Sequence, residues 1–182
     1  MSTVKTEVTI EDLYAVEGKA EIIDGRIVHL MPTGRLPNRV AGNIYISLRS
    51  HERVGSGGYA VSDNMAFVVD LPHRESFSPD AAFFTGEIAS MKFAEGAPVF
   101  AVEVRSEGDY GPAAEREMRQ KRMDYFACGT LVVWDVDLIG GDTIRAHRAD
   151  DPDNPQVFRR GEVADAEPAV PGWRMAVDEL FV

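Results

Sequence analysis

Pro98-Val-Phe-Ala-Val-Glu103-Val-Arg105-Ser106, the charged segment Pro112 to Cys128 and Thr130-Leu-Val-Val-Trp-Asp135 follow one another with short turns between them. The first and last runs are apolar on both faces, as strands inside a sheet are. Pro112 suits the first turn of a helix, and Gly129 suits its end. Strand, helix and strand in that order predict parallel neighbours joined by a right-handed crossover.

One residue breaks the pattern of the first strand. Glu103 lies among apolar neighbours, where a charge is costly unless it is paired, hydrogen-bonded or bound to a metal. The other reading is an acid at a strand end that reaches solvent, since Arg105 and Ser106 follow at once. Upstream, Pro79-Asp80 opens a short strand to Phe84. Asp80 is either a turn residue satisfied by backbone N–H groups or the partner of Glu103. Two carboxylates on neighbouring strands suffice for one hard cation, whose remaining positions go to water and phosphate. On the helix, Lys121 shares a side with Ala114, Met118, Tyr125 and Cys128, while Arg116, Arg119, Gln120 and Asp124 lie elsewhere. Such a lysine either snorkels from the edge of an apolar stripe or points at the carboxylate pair, to orient or deprotonate a water and neutralise developing charge.

Outward from this unit, Thr9 with Asp12 forms a capping-box pattern for a helix from Ile10 to Val16, after a loose tail at residues 1–8. Ala20-Glu-Ile-Ile-Asp24-Gly25-Arg-Ile-Val-His-Leu-Met31 reads as a hairpin around Asp-Gly. Apolar residues at helical spacing predict a helix from Asn38 to Arg53. A flexible turn, Gly55 to Gly58, leads to a strand from Tyr59 to Val69. The polar stretch to Ser78 reads as a turn, and the segment after Gly86 as a weak helix or loop to Gly96. Strands are expected at 142–148 and 156–160, with a proline-rich loop, Asp150 to Pro155, between them. The tail from Val170 to Phe181 is expected to pack back on the domain. The whole is a mixed α/β sheet.

The chain has 182 residues, 45% of them hydrophobic, which fits one domain with its own core. No apolar run reaches membrane-spanning length, and the N-terminal residues lack a signal-peptide core, which points to the cytoplasm. The single cysteine, Cys128, excludes an intramolecular disulfide. The four histidines have no metal-finger spacing, and there is no phosphate-cradling loop or nucleophile elbow. A net charge of −11 works against nucleic-acid binding, unless a local basic patch outweighs it.

Pro79-Asp80, Glu103-Val-Arg-Ser106, Lys121-Arg-Met-Asp-Tyr125 and the earlier Glu21-Ile-Ile-Asp-Gly25 together resemble the Uma-type restriction endonuclease family of the PD-(D/E)XK nuclease superfamily. The resemblance runs from the Asp-Gly hairpin to Trp173 and Leu180-Phe181. It implies a restriction-endonuclease-like α+β core with flanking helices and an N-terminal β-hairpin. It further implies Mg²⁺ or Mn²⁺ held by Asp80 and Glu103 with the Val104 carbonyl, and DNA as the substrate of a homodimer. The superfamily's usual lysine position, two residues after the second acid, holds Arg105; Lys121 on the next helix takes that place. Glu21 matches a recurrent family acid and is either a fourth member of the site or a solvated acid beside a hairpin. Two features depart from the family: Ser106-Glu-Gly-Asp109 replaces a Ser-Pro-Ser type of turn, and Pro37-Asn38 stands where relatives carry a histidine. The alternatives are a nuclease fold that binds or assembles without cutting, and hydrolysis of a smaller phosphate ester.

Overall fold

The Asp24-Gly25 pair adopts positive φ at both residues, +50° and +64°, the backbone that a tight two-residue hairpin turn requires. It joins β1 (Ala20–Ile23) to β2 (Arg26–His29), with Ile23 opposite Arg26. This computed structural model describes residues 8–55, 57–87 and 91–182. The expected tail up to residue 7, Ser56 in the glycine turn and residues 88–90 lie outside the described residues.

Ahead of the hairpin, α1 (Ile10–Tyr14) starts at the capping box read from the sequence: Thr9 and Asp12 exchange hydrogen bonds. After it, α2 (Arg35–Glu52) begins three residues before the expected Asn38. Pro37 is no obstacle there, because first-turn N–H groups have no helical partner anyway. Next come β3 (Tyr59–Ser62) and β4 (Phe67–Leu71), two strands where the sequence suggested one. The break is a turn at Asp63-Asn64, with Asn64 at φ +70°. The polar stretch read as a turn is a strand, β5 (Arg74–Phe77). Its polar side chains are buried because they serve other buried polar groups: the Ser76 hydroxyl accepts the Ile22 N–H at 2.8 Å, and Arg74 pairs with two acids.

The chain continues through β6 (Ala81–Phe84), β7 (Ala94–Glu95), β8 (Phe100–Val104), α3 (Pro112–Ala127), β9 (Val132–Asp137) and β10 (Thr143–Arg148). Then follow β11 (Asp151–Phe158), β12 (Val163–Asp165), β13 (Arg174–Ala176) and a terminal 3-10 helix, Val177–Phe181. The expected proline-rich loop at 150–155 is the start of β11. That strand lies at a sheet edge, where Pro152 and Pro155 remove no ladder bond the sheet needs.

The strands form two larger mixed sheets. One runs β2-β1-β5-β4-β7, the other β11-β10-β9-β8-β6-β3, and β12 pairs with β13. β8 and β9 are parallel neighbours joined through α3, as the strand-helix-strand order predicts. The side chains of β8 alternate. Phe100, Val102 and Val104 face α2 and the C-terminal segment, in a core that includes Trp134 and Trp173. Ala101 faces the other way, towards Phe67 and Phe77 of the five-stranded sheet and Tyr125 of α3. Glu103, two residues on, shares that second face.

Trp134 is fully buried, with ring centroids 5.2 Å from Phe100 and 5.0 Å from Trp173. Trp134→Ala is expected to lower stability by about 3–5 kcal/mol, read as a reduced urea midpoint at constant slope.

Candidate active site

β6 and β8 are antiparallel neighbours with Ala82 opposite Ala101 and Ala81 opposite Val102. One residue further along this register, Asp80 falls beside Glu103, and cross-strand neighbours bring side chains into contact range. The Asp80 N–H donates to the Val102 carbonyl at 3.0 Å, and Asp80 Oδ2 accepts the Val104 N–H at 2.8 Å. Both acids therefore stand on one face, at the ends of rigid strands.

Lys121 reaches this pair from α3. Its Nζ lies 2.8 Å from Glu103 Oε1 and 3.0 Å from Glu21 Oε1. The Tyr125 hydroxyl, one turn further along the helix, donates to the same Glu103 oxygen at 2.7 Å. Glu103 Oε2 has no protein hydrogen-bond partner among the described residues. Burial pushes the Glu103 carboxyl up from its ordinary pKa; Lys121 opposes this, while Asp80 and Glu21 add to it. Burial also works against the Lys121 charge, but Glu103 and Glu21 more than offset it and hold the ammonium above its ordinary value. Lys121 is thus a fixed positive charge at neutral pH.

Glu21 is only 1% exposed. It is not the solvated hairpin acid of one reading. Its Oε1 accepts the Ser78 N–H at 2.9 Å, and its Oε2 takes Arg74 at 2.6 Å. Arg74 reaches on to Asp124 Oδ2 at 2.8 Å, and Asp124 Oδ1 meets His73 at 2.7 Å and Gln120 at 2.8 Å. Asp124, assigned by helical spacing away from the Lys121 side, is buried here because Arg74 reaches it from β5. The chain Lys121–Glu21–Arg74–Asp124 ties α3 to the five-stranded sheet.

Arg105, at the superfamily's usual lysine position, pairs with Asp135 and Glu115. Its guanidinium grips Asp135 at 2.6 Å through two nitrogens and also pairs with Glu115, a bidentate geometry that only arginine makes. Arg122 pairs with the same Asp135. The sequence reading missed Lys19. Its Nζ lies 2.7 Å from Asp80 Oδ1 and 2.6 Å from Asp63 Oδ1.

The family model described as "Putative restriction endonuclease", Uma2, matches residues 10–178. The chain belongs to the Uma2 family. Among solved structures, a crystal structure titled as a putative nuclease of DUF820 from Anabaena variabilis is similar, with a TM-score of 0.71. The match covers 96% of this chain and 97% of that one at 16% identity, a likeness that shows the fold. No curated protein matches.

In this Uma2 chain the oxygen donors suit a hard divalent cation. Asp80 and Glu103 are adjacent carboxylates, and among the described residues Glu103 keeps one oxygen without a protein partner. Among the described residues no three His, Cys, Asp or Glu side chains converge as a closed cage. Both Glu21 oxygens have protein partners, as do both Asp80 oxygens, from Lys19 and the Val104 N–H. Among the described residues no helix is long and apolar enough to cross a membrane.

Burial opposes the Glu21 charge, but Lys121, Arg74 and the Ser78 N–H hold its pKa below the ordinary value; Asp124 is likewise lowered, against burial, by Arg74, His73 and Gln120. Their contribution to stability is therefore present above the ordinary carboxylate range and disappears as pH falls through the depressed values. Arg74→Met takes a charged partner from each of two buried carboxylates and is expected to cost about 3–5 kcal/mol near neutral pH. The gap from wild type should close on acidification, measured as urea midpoints across a pH series.

Proposed function

We propose that this chain hydrolyses phosphodiester bonds in nucleic acid, DNA foremost, at Asp80 and Glu103 with a divalent cation, Mg²⁺ or Mn²⁺. The observation that carries the reading is the meeting of Asp80, Glu103 and Lys121 on one face of the six-stranded sheet, from two adjacent strands and the crossover helix. Asp80 and Glu103 would hold the cation, with the Val104 carbonyl as a further oxygen donor. When bound, such an ion polarises the phosphoryl oxygen and makes its bound water a nucleophile at neutral pH.

The chain's own groups supply the rest. Lys121 places a fixed positive charge where negative charge grows on the phosphoryl oxygens during attack. Glu21 sets the Lys121 position through an ion pair that does not depend on Glu103. Tyr125 donates to Glu103 Oε1 and so steers the other oxygen of that carboxylate. Burial first, then Glu103 and Glu21, hold the Tyr125 hydroxyl well above its ordinary pKa, so it remains a donor.

A second reading, a nuclease fold that binds or assembles without cutting, draws on the ion pairs that already compensate both acids. Cleavage of supercoiled plasmid in Mg²⁺ and Mn²⁺ separates the two. Wild type is expected to nick and linearise the plasmid, and Asp80→Asn to be inactive. Lys121→Ala should be slower by about 10²–10³-fold with Mn²⁺ binding retained. Cleavage that persists in Asp80→Asn removes this site from the chemistry, and a folded wild type that cuts nothing favours the binding module.

A further inference from the structure

Lys19 has no role in the reading above, yet its placement repeats that of Lys121. Each acid of the candidate metal pair carries its own ammonium, Asp80 that of Lys19 and Glu103 that of Lys121. Each lysine also has a second carboxylate outside the pair. For Lys121 it is Glu21 at 3.0 Å, and for Lys19 it is Asp63 at 2.6 Å.

The mounting of Lys19 is stiff at its base. Its carbonyl accepts the Leu30 N–H at 2.9 Å, at the open end of the β1–β2 hairpin. The side chains of Lys19 and Asp80 are 14% and 13% exposed, so this is not a loose surface pair. Asp63 is fixed in turn, its Oδ1 accepting the Asn64 N–H at 2.8 Å. An open groove of about 430 Å³ lies beside this pair, lined by Lys19, Asp63, His29, Met31 and Asn64.

A cation on Asp80 and the Lys19 ammonium compete for the same carboxylate. With Asp63 still holding it, a displaced Lys19 keeps a counter-ion and stays beside the site. An ammonium in that position faces a phosphodiester with its remaining donors. We propose that Lys19 is a second catalytic lysine: it gives up Asp80 when that carboxylate takes its cation and, tethered by Asp63, meets a non-bridging oxygen of the scissile phosphodiester. The proposal rests on the metal-hydrolysis reading of Asp80 and Glu103.

The test uses the full chain and two binding measurements that need no turnover. Calorimetry gives the affinity for Mn²⁺, and fluorescence anisotropy gives the affinity for a short DNA duplex in Ca²⁺, which takes the same kind of oxygen site. Lys19→Met is expected to bind Mn²⁺ roughly tenfold tighter, because a competing unit charge is gone, and the duplex roughly tenfold more weakly. The Mn²⁺ gain should vanish in an Asp80→Asn background. Asp63→Asn should bind Mn²⁺ more weakly, through a Lys19 now committed to Asp80, and that effect should vanish in Lys19→Met. Should Lys19→Met fail to fold, Lys19→Gln takes its place in every arm.

Equal Mn²⁺ affinity in wild type and Lys19→Met, with binding lost in Asp80→Asn, leaves the cation site standing and removes Lys19 from it. Unchanged duplex affinity removes Lys19 from the phosphate. Absence of Mn²⁺ binding in both wild type and Lys19→Met removes the cation site itself, and the role of Lys19 with it.

Discussion

A carboxylate that is almost wholly removed from water sets the terms for the rest of the molecule. Glu21 is tolerable only because Lys121, Arg74 and the Ser78 N–H all meet it, since an unpaired buried charge costs more than most single contacts return. Those partners come from α3, from β5 and from the turn before β6. One side chain therefore fixes the helix, the five-stranded sheet and the strand that carries Asp80 with respect to one another. Its direction depends in turn on the Asp24-Gly25 turn, because a slip of one residue in the hairpin would aim Glu21 at the opposite face. The most local feature of the fold thus controls the position of a lysine a hundred residues away.

The site is built from compensated charges rather than bare ones. Two neighbouring carboxylates repel, and burial raises the cost of ionising them. Lys19 and Lys121 relieve that repulsion, each from one side of the pair. A second face-mate of Glu103 has another fate. Asp135 lies opposite Glu103 in the parallel register, but Arg105 and Arg122 neutralise it. The same sheet face thus carries a reactive-looking acid pair and, one strand over, a purely structural ionic clamp. Arg105 belongs to the clamp, and the lysine that meets Glu103 stands on the helix.

The sequence was legible where local chemistry decides the backbone. The capping box at Thr9, the Asp-Gly hairpin, the apolar strand through Glu103 and the crossover helix from Pro112 all formed where their residues indicate. It was opaque where a distant partner decides. Arg74-Glu-Ser-Phe77 looks like a polar turn until Glu21 and Asp124 are seen to need its arginine. The prolines of 151–158 argue for a loop until the strand is found at a sheet edge. Lys19 carries no local signal at all, since the residues that give it meaning lie in the Asp63 turn and at Asp80. Glu103 and Lys121 stood out because each contradicts its own apolar surroundings. Asp124 contradicted nothing on the helical wheel and was missed.

The groups gathered at this site are drawn from positions 19, 21, 63, 80, 103 and 121, and no single segment of the chain carries more than a fraction of them. The six-stranded sheet alone brings Asp80 and Glu103 side by side, with nothing to balance their mutual repulsion. Lys19 arrives only with the hairpin, and Lys121 takes its place only when Glu21 is buried beneath α3. The two sheets thus share the charge balance, Lys19 and Glu21 entering from the hairpin and Lys121 from the crossover helix. The charge balance of the Asp80–Glu103 pair is therefore a property of the whole fold and of no single sheet.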